Sequence, residues 1–263
     1  MEKMTEHDKF KAECAAEIAQ QGADMTLHEL TSKWIARATE HKYSYHFEWL
    51  GRPVIQYPQD LIGVQQLLWK VQPDLIIETG IARGGSLIFY ASILELIAQC
   101  GGSQNAKILG IDIDIREHNE SAILAHPMSK RIEMIQGSSV SNETFSKVNE
   151  FAANYKKILV CLDSNHTHQH VLDELKLYAP LVSKGSYCIV FDTIVENLPE
   201  NSGPSRPWSK TDNPKTAVRE YLKQLDHYPQ NAADGSPLNL SIDKEIDAQL
   251  LITVAPDGFL RRN

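Results

Sequence analysis

Positive charge is in short supply in this chain: 26 lysines and arginines face 34 aspartates and glutamates, a formal net charge of −8. That balance argues against nucleic acid as a general partner. Cysteine is scarce too. Cys14, Cys100, Cys161 and Cys188 are widely scattered and form no C-x-x-C pair. Cys161 and Cys188 fall in strand-like apolar runs, so buried reduced thiols are expected rather than disulfides or zinc ligands. No apolar run reaches the roughly 20 residues that a membrane span needs. The charged stretch from Met1 to Lys9 is not followed by the apolar core of a signal peptide. A cytoplasmic location is the expectation. No internal repeat is detectable. What is there, 263 residues with 42% apolar content, suits one large α/β domain with an extra segment, or two small domains.

From Asp74 onward the chain alternates two kinds of segment. Leu75–Glu78, Ile108–Ile111, Ile132–Ile135, Ile158–Leu162 and Tyr187–Phe191 are short β-branched runs of the kind buried on both faces. Between them, Ser86–Ala98, Glu117–Ala125, Asn142–Glu150 and His168–Tyr178 read as helices. The rhythm predicts an α/β fold with a doubly wound, mostly parallel sheet, Rossmann-like, over residues 66–263. A last strand is expected over Gln249–Val254. The turn signal Pro256-Asp257-Gly258 and then Phe259 follow it, so a C-terminal antiparallel hairpin is expected. Residues 1–65 read as a separate arm. Phe10–Ile18 and Leu27–Ala38 have helical spacing, and the segment from Tyr43 to Pro58 is dense in aromatics. That segment either packs on the core or forms a lid over a substrate. Asp60–Val71 reads as a helix. Between Thr193 and Pro214 lies a long stretch with Pro199, Pro204, Pro207 and Pro214 and no periodicity, a length usually tied to function or mobility.

The dinucleotide fingerprint G-x-G-x-x-G is missing as well. In its place, Glu78 to Ser86 reads E-x-G-x-x-x-G-G-S, at a junction where open α/β sheets bind nucleotide-like ligands. Gly80, Gly84 and Gly85 permit a close backbone approach there. A carboxylate at the strand end, Glu78, suits a ligand with a positive charge or free hydroxyls, such as S-adenosylmethionine. Each further strand also ends in polar residues: Asp112 with Asp114, then Gly137-Ser138-Ser139, then Asp163-Ser164-Asn165-His166, then Asp192. In a parallel sheet these ends share one edge, so the groups converge. Asp112 can accept ribose hydroxyls or cap a helix. Ser138 would lie beside an adenine or cap the helix from Asn142. Asp163 can hold a hard divalent cation, and His166, three residues on, can take a proton near neutral pH. His168 and His170 follow, but a helix starting near His168 would turn it away.

Several stretches together resemble the cephalosporin hydroxylase and rhamnosyl O-methyltransferase family. They are Asp74–Phe89 with Asp112, Leu162–His166 and Val190–Ile194. Trp49–Asp60, Asn213–Ala217 and Leu250–Phe259 fit as well. The resemblance covers roughly residues 45 to 262. It implies a class I methyltransferase core binding S-adenosylmethionine through Glu78, Gly80, Arg83, Gly84, Ser86, Asp112, Ser138 and Asp163. It also implies Mg²⁺ held by Asp163 and Asp192, with His166 as the general base. Relatives carry an adjacent acidic pair where this chain has Phe191 and Asp192, so one carboxylate is missing. Glu196 is a candidate to complete the site.

The function this implies is S-adenosylmethionine-dependent O-methylation of a hydroxyl on a sugar or natural-product acceptor. The partner is then a small molecule or a glycan, and a homo-oligomer is compatible with the sequence. Two rival readings stand beside it. Iron-dependent hydroxylation would use Asp163, His166 and His168 as a facial triad. A non-catalytic protein would bind the cofactor to assist another enzyme.

Overall fold

The computed structural model describes residues 4–199 and 206–263. Two helices open the chain, α1 (Glu6–Ala23) and α2 (Met25–Glu40). Thr5 caps the first in a reciprocal box with Asp8, and Asp24 caps the second, each satisfying amides that a helix start leaves open. α1 buries none of its residues. Its last turn leans on the C-terminal region, where a Cβ at Gly22 would meet that of Ala248 at 2.6 Å. The aromatic segment then forms a small hairpin, β1 (Phe47–Trp49) and β2 (Arg52–Val54). Pro58 starts α3 (Pro58–Val71), where its missing N–H costs nothing.

The main body follows in strict alternation. β3 (Leu75–Thr79) leads to α4 (Gly85–Gln99), and β4 (Lys107–Asp112) to α5 (Glu117–Leu124). β5 (Ile132–Gln136) leads to α6 (Asn142–Ala152), and β6 (Ile158–Leu162) to α7 (His168–Tyr178). β7 (Tyr187–Val190), α8 (Pro214–His227), β8 (Leu240–Ile242), α9 (Lys244–Leu250) and β9 (Phe259–Arg262) complete it. The seven strands lie in the order β5-β4-β3-β6-β7-β9-β8. The first five run parallel, and β9 is antiparallel to both its neighbours. Alternate side chains of β3 enter opposite cores: Ile76 packs with α3 and α4 residues, and Leu75 and Ile77 with α6, α7 and α8 residues. This two-sided burial is what makes the central strands read as unbroken apolar runs. The four cysteines are free, and Cys161 and Cys188 are buried.

One expectation fails here. Gln249–Val254 is not a strand. Gln249 and Leu250 end α9, and Leu251 adopts a left-handed conformation at φ 56°. Asp243 caps α9 through the amides of Glu245 and Ile246, so the helix starts just upstream and consumes these residues. Thr253 and Val254 then give their polar groups to the buried carboxylate of Asp60, and the Val254 carbonyl accepts from the Ile194 amide. No edge is left for a strand partner. The turn at Pro256–Gly258 does form, and β9 pairs antiparallel with β8 instead. The long stretch after Thr193 begins as a 3₁₀ turn over Thr193–Asn197 and ends where Pro214 starts α8. Its Pro204 lies outside the described residues.

Candidate functional site

The parallel strands deliver their C-terminal ends to one edge, and a cavity of about 370 Å³ opens there. Its floor is the loop after β3. Gly80 sits at φ +89°, and a Cβ there would come within 2.1 Å of the Asp163 carbonyl. Only a glycine lets the loop and the turn after β6 touch. Gly84 is also left-handed and precedes the first turn of α4. Beneath the loop, Glu78 is fully buried. Its Oε2 accepts from the Ser86 hydroxyl at 2.7 Å, while Oε1 has no partner. Burial pushes this carboxyl up to about 8. Glu78 thus anchors Ser86 from below the loop, with Tyr90 beside it.

Asp112, at the end of β4, holds the same loop from the other side. Its Oδ2 accepts from the Ile81 amide at 2.8 Å and the Ala82 amide at 3.3 Å, and Oδ1 from the Asp114 amide. It does not cap a helix; α5 starts at Glu117. Ser138 does not cap one either, because Ser141 caps α6. Gly80, Arg83, Ser86, Asp163, His166 and Asp192 line the cavity, whereas Glu78, Gly84, Asp112 and Ser138 do not; Glu78 reaches it only through Ser86.

The far wall carries Asp163, His166 and Asp192, whose ligand atoms all lie within 4.8 Å of one another. Asp192 adopts φ 54°, ψ 20°, an uncommon state for a residue with a side chain. Its Oδ2 lies 2.9 Å from His166 Nε2. Burial works to lower the imidazole, but the charge and hydrogen bond of Asp192 outweigh it, so His166 is held above its usual value. Burial works to raise Asp192, and His166 overrides it, so that carboxyl is held down. Asp163 goes the other way. Burial, with Asp192 and Glu78 nearby, pushes it well up, against a 3.1 Å hydrogen bond from Gln56 Nε2.

Other candidates are not brought in. Phe191, at the position of the absent acid, is buried in the core. Glu196 pairs with Arg219 and does not join the cluster. His168 bonds through Nδ1 to Thr216 at 2.8 Å, on the α8 side, so no triad of Asp163, His166 and His168 assembles. His170 sits between Ser139 and Ser164, with Nε2 at 3.1 Å from each hydroxyl.

The upper walls are aromatic. Tyr43, Tyr45 and Tyr57 come from the N-terminal arm, and Trp208 from the stretch before α8. The arm therefore both packs and lines: Trp49 meets Phe89 edge-on at 4.9 Å and donates to Ser92, while its neighbours face the cavity. Gln56, Arg206 and Trp208 were not singled out in the sequence. Gln56 lies inside the Trp49–Asp60 stretch, and Arg206 and Trp208 inside the long stretch between Thr193 and Pro214; those segments were the available signal.

The model of the family described as Rhamnosyl O-methyltransferase/CmcI matches residues 41–263. The rhamnosyl O-methyltransferase of Mycobacterium tuberculosis (strain ATCC 25618 / H37Rv) is 27% identical over 263 residues, covering 97% of this chain and 92% of that protein. That of Mycobacterium leprae (strain TN) is 29% identical over 215 residues, covering 81% and 82%. Among solved structures, CmcI in its apo form superposes with a TM-score of 0.55 at 20% identity, over 83% of this chain and 76% of that one. A CmcI structure with Mg and SAM gives 0.54 at 20% identity, over 83% and 77%. Both share the fold described above.

Proposed function

Because the chain belongs to the Rhamnosyl O-methyltransferase/CmcI family, it is an S-adenosylmethionine-dependent O-methyltransferase, and we propose that the hydroxyl it methylates is that of a sugar or sugar-bearing natural product, with a divalent metal assisting. The observation that carries this is the facing of two half-sites across one cavity. One is the loop of Gly80, Arg83 and Ser86, with the Ser86 hydroxyl held by the buried Glu78, and the other is the Asp163–His166–Asp192 cluster.

The residues present fit both groups. The glycine-lined loop, with Ser86 anchored to the buried Glu78 beneath it, suits the close approach of a nucleoside-bearing cofactor. Ser86 and Arg83 stand at its edge, and Asp112 fixes the loop's amides. When bound, the cofactor supplies a methyl group on a sulfonium, an electrophile needing chiefly alignment. Asp163 and Asp192 offer the hard oxygens that Mg²⁺ takes. With Phe191 buried, two carboxylates and one imidazole are what the cluster holds among the described residues, and weak affinity follows. Such an ion supplies Lewis acidity toward the acceptor hydroxyl.

The chain's own residues do the rest. His166 takes the hydroxyl proton. Its Nε2 faces Asp192, and Nδ1 has no partner among the described residues. With the ring hydrogen on the Asp192 side, Nδ1 is the basic nitrogen, and Asp192 steadies the imidazolium that forms. Gln56 orients Asp163. The tyrosines and Trp208 give flat faces for a sugar ring and keep water out.

The test is transfer of a labelled methyl group from S-adenosylmethionine to a panel of deoxysugar glycosides. Label on an acceptor oxygen is expected. Binding of S-adenosylhomocysteine with no transfer to any hydroxyl would instead favour the cofactor-binding partner protein.

A further inference from the structure

The chain is acidic overall, yet the cavity's lining is not. Lys42, Arg83 and Arg206 line it against Asp163 and Asp192, in a protein of net charge −8. None of the three cations is in an ion pair among the described residues, whereas Asp192 is engaged by His166. The cations are also placed. The Arg206 guanidinium carbon lies 5.2 Å from the centre of the Trp208 ring, and Nη2 reaches the Tyr45 hydroxyl at 3.5 Å. Trp208 in turn meets the His166 ring edge-on at 4.7 Å. Arg206 therefore shares the Trp208 ring with the base and lies no farther from it than those two ring distances combined. Lys42, in a left-handed conformation at the end of α2, precedes Tyr43 and Tyr45 on the same rim.

The partners assigned so far do not balance this charge. S-adenosylmethionine carries a sulfonium and an ammonium against one carboxylate, and Arg83 lies in its loop. A divalent ion adds positive charge. The acceptor is the remaining ligand, and it must meet Lys42 and Arg206.

We propose that the acceptor is an anionic sugar bearing a phosphate ester, held by Arg206 and Lys42 while one of its hydroxyls reaches His166. The proposal rests on the methyltransferase reading and names the substrate class of that same site. Two cations at one rim match the charge of a phosphate monoester or a diphosphate. The planar guanidinium pairs with phosphoryl oxygens in a two-pronged geometry. Two sources share this chemistry, a sugar 1-phosphate and a nucleoside-diphosphate sugar.

The experiment is calorimetry on the full chain loaded with S-adenosylhomocysteine. The probes are matched sets of several deoxyhexoses and hexoses, each as methyl glycoside, 1-phosphate and nucleoside diphosphate. At least one phosphorylated form should bind about tenfold or more tightly than its own methyl glycoside, a modest demand on charge-assisted contacts. In the double variant Arg206→Gln, Lys42→Gln that preference should collapse, while affinity for S-adenosylhomocysteine stays as it was. Tighter binding of the nucleoside diphosphate, lost in Trp208→Ala, would identify the nucleotide as the source. Equal binding of the two would identify the sugar 1-phosphate. If no phosphorylated sugar outbinds its neutral counterpart, or if the preference survives in the double variant, the proposal is overturned. Failure to bind S-adenosylhomocysteine sinks the methyltransferase reading; intact binding without phosphate preference sinks only this inference.

Discussion

His166 meets Asp192 through one nitrogen and Trp208 through its edge, so its position is fixed by two neighbours of different kinds. His166→Gln should lower turnover by roughly 10²–10⁴-fold, the usual scale for a lost general base. Because Asp192 holds the imidazole above its ordinary value, a neutral base is available only at higher pH. The rate should rise with pH with a midpoint above about 6.5, and that limb should vanish in the variant. A wild-type profile flat from pH 5 to 9 would remove His166 from the proton path. Asp60 titrates in the fold rather than in the reaction. Burial pushes it up to about 7, so the folded state keeps a proton that the unfolded chain loses near pH 4. The stability Asp60 contributes should therefore be lost as pH rises from about 4 to about 7, beside the losses carried by the similarly raised Glu78 and Asp247. Denaturant titrations of Asp60→Asn should show a slope shallower by up to one proton over that window; an unchanged slope would mean that Asp60 does not contribute to it. At Gly80, alanine brings both a disfavoured φ and a 2.1 Å clash with the Asp163 carbonyl. Gly80→Ala should cost roughly 2–5 kcal/mol and weaken S-adenosylhomocysteine binding, as calorimetry would report.

The parallel strands were legible because burial on both faces leaves one kind of residue at each position, as in Leu75–Ile77 and Ile158–Leu162. The segment Gln249–Val254 has the same composition and a different fate. Its apolar side chains pack beside α3 and α9, and a cap at Asp243 decides the helix from outside the run. Composition reports burial; it does not say whether an edge is free for pairing. The site divides the same way. Glu78, Asp163, His166 and Asp192 were readable as strand ends sharing an edge. Gln56, Arg206 and Trp208 come from segments without periodicity, and a long chain separation hides their meeting. Among the helices, α1 stands apart because it buries nothing and is tied mainly by the Gln21 amide and the Gly22 contact. Deleting residues 1–23 should shift Tm by only about 2–4 °C, the worth of roughly one hydrogen bond in a chain of this size. A fall well beyond that, or lost cofactor binding, would show that α1 braces α9.

At the scale of the whole molecule, one cavity receives residues from both ends of the chain, from Thr39 to Val254. The proposed metal site of Asp163, His166 and Asp192 is the part most exposed to a change of conditions. With two carboxylates and no third acid among the described residues, Mg²⁺ should be held weakly, so EDTA should abolish methyl transfer readily and added Mg²⁺ restore it. Full activity in EDTA would mean that Asp163 and Asp192 serve without an ion. The sheet itself imposes an order in time. β9 lies between β7 and β8, so a strand made late is inserted at an inner position. While the protein is being synthesised, β7 must wait with an unpaired edge until residue 262 has left the ribosome. Such an edge invites pairing with other chains. The Ile194–Val254 link, which ties the turn after Asp192 to the segment before β9, is out of reach for nearly as long. The wall that carries the proposed base is thus finished among the last parts of the molecule, and a stalled or shortened chain would hold the Gly80 loop facing an unfinished wall.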